Sequence, residues 1–232
     1  MRAVTSAATE PARSPLEPQL QRAGATMVVR HGWWVAAHFG SPAGELALCD
    51  TAVGLADRSD LGKLELRGEA GAVEQLVGQI TGGQVSPGEA LLAAGAWWCA
   101  VSNAHTVVLC DAGESARIQA ALEEAARWAP GATVTDSTAR LAAIALLGPA
   151  TAALLDEISG SELKEITAPA FDVTMLATVP VMLLRASASR AVILTQAGRA
   201  AALWADLERT GQDYGIGLVG ADAVSHLSPL AR

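Results

Sequence analysis

The sequence predicts an α+β domain in which one strand–helix–hairpin–helix unit occurs twice. Three observations carry this. First, "LELRGEAGAVEQLVGQI" (Leu64 to Ile80) is echoed by "IALLGPATAALLDEI" (Ile144 to Ile158). Each is an alternating strand, a glycine turn, then a helix with apolar residues at i, i+3 and i+4. Second, "VVLCDAGESARIQAAL" (Val107 to Leu122) is echoed by "VILTQAGRAAALWADL" (Val192 to Leu207). Both offsets are about 80 to 85 residues, so a whole supersecondary unit is duplicated. Third, each unit contains a hairpin. The first sets Ala96–Ser102 against Thr106–Cys110 across the polar turn "SNAH". The second sets Val181–Ala186 against Arg190–Thr195 and turns at Ser187–Ser189. Strict βαβ alternation is absent, so helices layered on mostly antiparallel sheets are expected. Two such halves can face each other across a cleft, the expected ligand site.

The halves fall at about 55–130 and 135–212, inside a single domain over residues 14–232. Residues 1–13 carry Arg2, Glu10 and Arg13 and no apolar h-region, and are read as a disordered tail rather than a secretory signal. No apolar run reaches the roughly 18 residues of a membrane span, so a cytoplasmic chain is expected. About half of the 232 residues are apolar, enough for a sizeable core. The net charge of −8, with only Lys63 and Lys164 as lysines and scattered arginines, argues against nucleic acid and anionic membranes. Cys49, Cys99 and Cys110 lack paired spacing and sit among apolar residues, and read as buried free thiols. The four histidines lack metal-ligand spacing, so no metal site is expected.

The aromatic residues are concentrated. "LLAAGAWWCAVSN" places Trp97 and Trp98 side by side in a strand, where they must point to opposite faces. One can line a ligand pocket while the other packs in the core. Equally, the pair can serve core and subunit interface. Trp33 and Trp34 pose the same choice. Asp57 and Ser59 in "LADRSDLG" read either as turn and cap residues or as a polar cleft wall. Asp222 and His226 are spaced i, i+4 on a helix, a surface pair or an oriented base. Arg185 and Arg190 bracket the second hairpin turn and are solvated charge or an anion clamp. His31 and His38 flank the first Trp pair and read as surface residues, and His105, in a hairpin turn, is expected at the surface. "GQITGGQ" lacks the Lys-Ser/Thr of a phosphate loop.

Several stretches resemble the folate-binding domain of the glycine-cleavage T-protein (aminomethyltransferase) superfamily. That superfamily includes sarcosine-oxidation modules and YgfZ-type iron–sulfur proteins. "SPLEPQLQRAGATMVVRHGWWVAAHFGSPAGEL" is similar to the family's opening. "AVGLADRSDLGKLELRG" resembles its Gly-Leu-x-Asp-x-Ser-x-x-Gly signature, and "LLGPATAALL" and "GRAAALWADL" resemble two later elements in the right order. The resemblance implies a central cavity shaped for tetrahydrofolate and inherited methyl or aminomethyl transfer in one-carbon metabolism, without the family's C-terminal barrel domain. It places Leu61 and Leu92 near ligand-contacting positions, sets Asp111 where the family has asparagine, and makes Asp57 and Ser59 a channel wall.

The same resemblance exposes departures. The family's catalytic aspartate stands in a Gly-Gly-x-x-Asp-Asp hairpin start. Here Ala93–Trp98 occupies that place, and no acid occurs between Glu89 and Asp111. The family's pterin-holding glutamate is replaced by "RASASR", Arg185 to Arg190. A pterin buried without its carboxylate leaves donors unpaired at about 1–3 kcal/mol each. The transferring nitrogen also loses the negative charge that stabilises its developing positive charge. The catalytic residue is therefore unassigned, with Asp111, Asp57 and His226 as candidates. Trp97, Trp98, Leu61, Leu92, Ser59, Arg185 and Asp222 are the candidate ligand-binding set, for tetrahydrofolate or another flat ligand, in transfer or a repurposed reaction of specialised metabolism. The alternative is a non-catalytic small subunit of a multimeric sarcosine oxidase-type flavoenzyme, with a flavoprotein partner or a second copy against it. The Lys-Gly-Cys-Tyr-x-Gly-Gln motif of the YgfZ type is absent.

Overall fold

The computed structural model describes residues 10–160 and 169–227. A short helix α1 (Glu17–Arg22) leads to the hairpin β1 (Thr26–Arg30) and β2 (Trp33–His38). Helix α2 (Pro42–Thr51) starts from Ser41, whose hydroxyl accepts the Gly44 N–H at 3.2 Å, with Pro42 pre-setting the first turn. Strands β3 (Val53–Asp57) and β4 (Gly62–Gly68) follow, then α3 (Ala70–Thr81), β5 (Ala90–Ala93), β6 (Ala96–Ser102), β7 (His105–Cys110), α4 (Ser115–Ala126) and β8 (Ala132–Asp136). The second unit runs β9 (Leu141–Leu147), α5 (Thr151–Ser159), β10 (Ala170–Leu176), β11 (Val179–Ser187), β12 (Arg190–Gln196), α6 (Ala200–Thr210) and β13 (Ile216–Leu218), and α7 (Ala221–Leu227) closes the described chain.

Both expected hairpins form, as β6–β7 and β11–β12. Each is flanked by an edge strand that the four-part unit lacked, β5 and β10. The five-stranded sheet runs β5-β6-β7-β4-β8, and the six-stranded sheet runs β10-β11-β12-β9-β3-β13. The units exchange a strand: β3, ahead of the first unit, occupies beside β9 the place that β8 holds beside β4. The echoed glycine marks these equivalent sites. Gly68 has φ +154° and Gly148 φ +132°. A Cβ there would lie 1.8 Å from the Gly131 carbonyl oxygen and 2.1 Å from that of Ala52, the residues just before β8 and β3. Only glycine admits both the dihedral and the approach.

The layers are helix, sheet, sheet, helix. Helices α3 and α4 cover one sheet through Val73, Leu76, Val77, Ile118 and Leu122, packed on Leu64, Leu66, Trp98 and Val108. Helices α5 and α6 cover the other through Leu154, Leu155, Leu203 and Trp204 on Ile144, Leu183 and Ile193. The sheets meet face to face through Leu61, Trp97, Cys99 and Leu109 on one side and Phe171, Leu184, Val192 and Leu194 on the other. The Phe171 N–H donates to the Gly88 carbonyl at 2.9 Å and stitches the two sheets at one edge. Beyond β9, Cys49 of α2 and Val224 of α7 pack on Ala145 and Leu147. All three cysteines are buried free thiols.

Part of the tail expected over residues 1–13 lies outside the described residues. Within it, the Ala12 N–H donates to the Gly32 carbonyl at 2.8 Å and the Ala12 carbonyl accepts from Trp34 at 2.9 Å, so pairing starts before residue 14.

Candidate functional site

Strand alternation separates the Trp97–Trp98 pair. Trp98 is fully enclosed on the helix face, and its indole N–H donates to the Ala93 carbonyl at 3.0 Å. Trp98 therefore does not reach the space between the sheets. Trp97 does, and it is only 6% exposed there. Leu92, its cross-strand partner, is half-buried at the margin, and Leu61 is fully buried in the same layer. The structure thus brings together three of the candidate ligand residues, and brings them together as packing. The layer where a flat ligand was expected is occupied by protein side chains.

A row of inter-sheet side chains crosses from Leu92 through Trp97 and Leu109 to Lys63 on β4, each pair directly opposite in register. Lys63 is fully buried. Its Nζ donates to the Ser59 carbonyl at 2.8 Å and stands 5.9 Å from the centroid of the Trp33 ring. Burial pulls the ammonium down to about 8, against the pull of Asp60, Asp57 and Asp136. Ser59, also buried, accepts the Ala143 N–H at 3.3 Å and donates its hydroxyl to Asp57 Oδ1 at 2.6 Å, which also takes the Ser59 N–H at 3.0 Å. Burial raises the Asp57 carboxyl above its ordinary range despite hydrogen bonds from Ser14 and Ser59. Asp57 and Ser59 thus form the turn that joins β3 to β4 and pin it to β9.

The outer side of this turn opens on a cleft of about 420 Å³ lined by Arg30, His31, Arg58, Asp60, Asp111 and Ser225, among others. Arg58 donates to Asp60 Oδ1 at 3.0 Å and reaches Asp111 Oδ1 at 3.4 Å. Burial would lower this guanidinium, but Asp60 and Asp111 outweigh it and hold it protonated. Asp111 is half-exposed. Asp222, on α7, pairs with Arg30 at 2.5 Å at the rim. Asp111 and Asp222 therefore meet two arginines at this cleft, while Asp57 and Ser59 lie buried behind it. The His226 side chain lies outside the described residues. Arg185 stands apart: it shares the helix face of β11 with Leu183, and its Nη2 donates to Asp172 Oδ2 at 2.8 Å. Among the described residues no His, Cys, Asp and Glu side chains group so as to hold a metal ion.

One cluster had no precedent in the sequence reading. On the inter-sheet face of β4, two residues past Lys63, lies Glu65, only 7% exposed at its side chain. Its carboxylate accepts from Arg67 at 2.6 Å, from the Ser137 hydroxyl at 2.5 Å and from Arg140 at 3.2 Å. Burial alone would raise its pKa, but Ser137, Arg67 and His105 together hold it below the usual carboxylate range. His105 Nε2 lies 3.0 Å from Glu65 Oε2, and its side chain is only 12% exposed. The expected surface position of His105 is thus corrected: β7 begins at this residue and turns it inward. Burial and Arg67 lower the imidazole below its ordinary value, so it is neutral near pH 7. The alternation in "GKLELRG" signals a strand with a charged face, and a charged strand face ordinarily faces water. The second sheet was the missing information.

Comparisons with known proteins bear on this geometry. No curated protein sequence matches the chain. Among solved structures, the glycine cleavage system aminomethyltransferase T from Bartonella henselae is similar at TM-score 0.76 and 18% identity, over 91% of this chain and 60% of that one. This chain therefore spans less than two thirds of that enzyme. A chain of the heterotetrameric sarcosine oxidase from Corynebacterium sp. U-96 is similar at TM-score 0.66 and 20% identity, over 89% of this chain and 97% of the other. At these identities both likenesses speak to the fold. The model of one family, the GCVT N-terminal domain, matches residues 16–228, and the chain belongs to that family.

Proposed function

We propose that this chain is a non-catalytic member of its family, the small subunit of a multimeric oxidase of the sarcosine-oxidising kind. One observation carries the reading. The inter-sheet layer is filled by Trp97, Leu61, Phe171 and Leu184, at the point where family enzymes keep a cavity and an acid. The carboxylates nearest to it are engaged in holding the fold: Asp57 by Ser59, Asp60 by Arg58, and Glu65 by two arginines and Ser137. A base that must accept a proton cannot also be the anchor of a buried turn without cost to both roles. The likeness to a chain of a heterotetramer, over nearly all of that chain, supports the assignment.

Purification of the tagged chain from its own cells tests this. The expected result is a stoichiometric complex with a larger, flavin-bearing chain, and no methyl or aminomethyl transfer to tetrahydrofolate by the isolated chain. A monodisperse chain that makes methylenetetrahydrofolate on its own would overturn it.

A second reading keeps a ligand in the cleft, folate or another flat molecule, bound for one-carbon transfer or a repurposed biosynthetic step in the cytoplasm. The position of Leu92 favours it: half-buried beside Trp97, it leaves the indole near the surface at one margin of the layer. Tryptophan emission titrated with tetrahydrofolate decides, because a ligand entering there must meet Trp97.

A further inference from the structure

The five-stranded sheet covers only part of the face presented by the six-stranded one. The edge strand β10 records where cover ends. Phe171, Val173 and Met175 lie on one face of this strand by alternation. Phe171 is 2% exposed, whereas Val173 is 63% and Met175 45% exposed. The uncovered part continues inward. Val173 is directly opposite half-buried Met182 on β11, and Met182 is directly opposite Leu194 on β12, which is fully buried. This apolar row is the floor of a groove of about 680 Å³.

Arginines also line the groove: Arg67, Arg140 and Arg199, with Glu65 as the carboxylate among its lining residues. Glu65 is buried and takes two hydrogen bonds from Arg67 and one from Arg140, so these two guanidinium groups are held in place. Arg67 and Arg140 remain 59% and 68% exposed, with donors left over for a further acceptor. Arg199, at the start of α6, makes no ion pair among the described residues. The groove thus carries an excess of positive charge on a chain whose net charge is −8.

The exposed side chains Val173 and Met175 adjoin half-buried Met182 in one patch, and such a patch, unlike singly scattered exposed residues, marks a docking surface. Its charge specifies what docks. We propose that this groove receives a segment of a partner protein that presents a short run of apolar side chains next to Asp or Glu. The apolar side chains cover Val173 and Met182 in the groove and the exposed Met175 beside it, and the carboxylates meet Arg140 and Arg199. The proposal rests on the reading of this chain as a subunit, and supplies the surface and partner chemistry that reading needs. Met182 and Leu194 join the groove to the Trp97 layer, but Trp97 itself does not line it.

The test uses the complex purified with the full-length chain. Amide hydrogen exchange in the complex and in the free chain should show protection on assembly over residues 173–182 and 194–199. Arg199→Glu leaves every described ion pair intact and should weaken assembly at least ten-fold. Val173→Ser with Met175→Ser, both at exposed positions, should do the same. The wild-type complex should weaken with salt, and the Arg199→Glu complex less steeply. Circular dichroism should show both variants folded as the wild type is. Assembly unchanged in both variants, or protection confined elsewhere, such as around the 72% exposed Trp128, would overturn the proposal while leaving the subunit reading intact. A wild-type chain that binds no partner would overturn both. Tight binding of a small organic anion at Arg199, with assembly unaffected, would make the groove a ligand site and also overturn the docking role.

Discussion

Lys63 carries the sharpest residue-level prediction. Its ammonium is fully buried with one backbone acceptor, and its pKa falls from 10.5 to about 8. A cation depressed in the folded state means that the unfolded chain binds more protons between those values. Stability contributed by this site therefore rises with pH across about 8 to 10.5, by about 3 kcal/mol in total. Lys63→Met should remove that rise and be more stable near pH 7 by about 1–3 kcal/mol, since an apolar side chain replaces a poorly compensated charge. The difference between wild-type and variant urea-unfolding free energies, taken at several pH values, isolates Lys63 from the buried thiols. Those act in the opposite sense: burial raises Cys49 and Cys110 to about 11, so their contribution is lost as pH rises above 9. A difference that stays flat from pH 7 to 10 would show that Lys63 is solvated. The tryptophans separate as cleanly. Trp98→Ala should cost about 3–5 kcal/mol, whereas Trp128→Ala should change the stability of the free chain by less than about 0.5 kcal/mol. Chemical denaturation measures both.

At the scale of elements, β4 is the strand on which the two sheets depend. Leu64 and Leu66 face the helices, and Lys63, Glu65 and Arg67 face the other sheet. Glu65→Gln should destabilise the chain by about 1–3 kcal/mol, a figure reduced for the exposure of its arginine partners. The wild-type carboxylate is depressed, so its contribution is present above its ordinary value and lost as pH falls through the lower folded value. The variant should lack that acid loss, as followed by the thermal midpoint between pH 6 and pH 3. Gly68→Ala and Gly148→Ala should each cost at least about 2 kcal/mol, because a Cβ would strike a neighbouring backbone carbonyl. The duplicated glycine was legible in the sequence because both copies stand at the same place in their echo. The hairpins were legible because polar turn residues interrupt alternating strands. The edge strands β5 and β10 were not. β5 is only four residues long, and β10, "AFDVTML", alternates and follows Pro169 but lies outside the two-stranded hairpin that the duplicated pattern marked out.

For the whole molecule, the duplication visible in the sequence foretold two sheets face to face, and the spacing between them was beyond its reach. Alternation assigns Trp97 and Trp98 to opposite faces, but which face is which depends on where α3 and α4 lie. Likewise, the exchange of β3 and β8 between the units follows from pairings that leave no trace in local pattern. The candidate site divided accordingly. Asp111 and Asp222 meet at one cleft, Asp57 and Ser59 form the buried turn behind it, Leu61, Leu92 and Trp97 lie in one packed layer, and Arg185 stands at none of these. The central claim is that side chains, not a ligand, fill the Trp97 layer between the sheets. Isothermal titration of the purified chain with tetrahydrofolate, beside Trp97→Ala, tests it most directly. The account predicts no saturable heat for the wild type up to about 1 mM, an affinity weaker than about −4 kcal/mol. Saturable micromolar binding by the wild type, lost on substitution of Trp97, would contradict it.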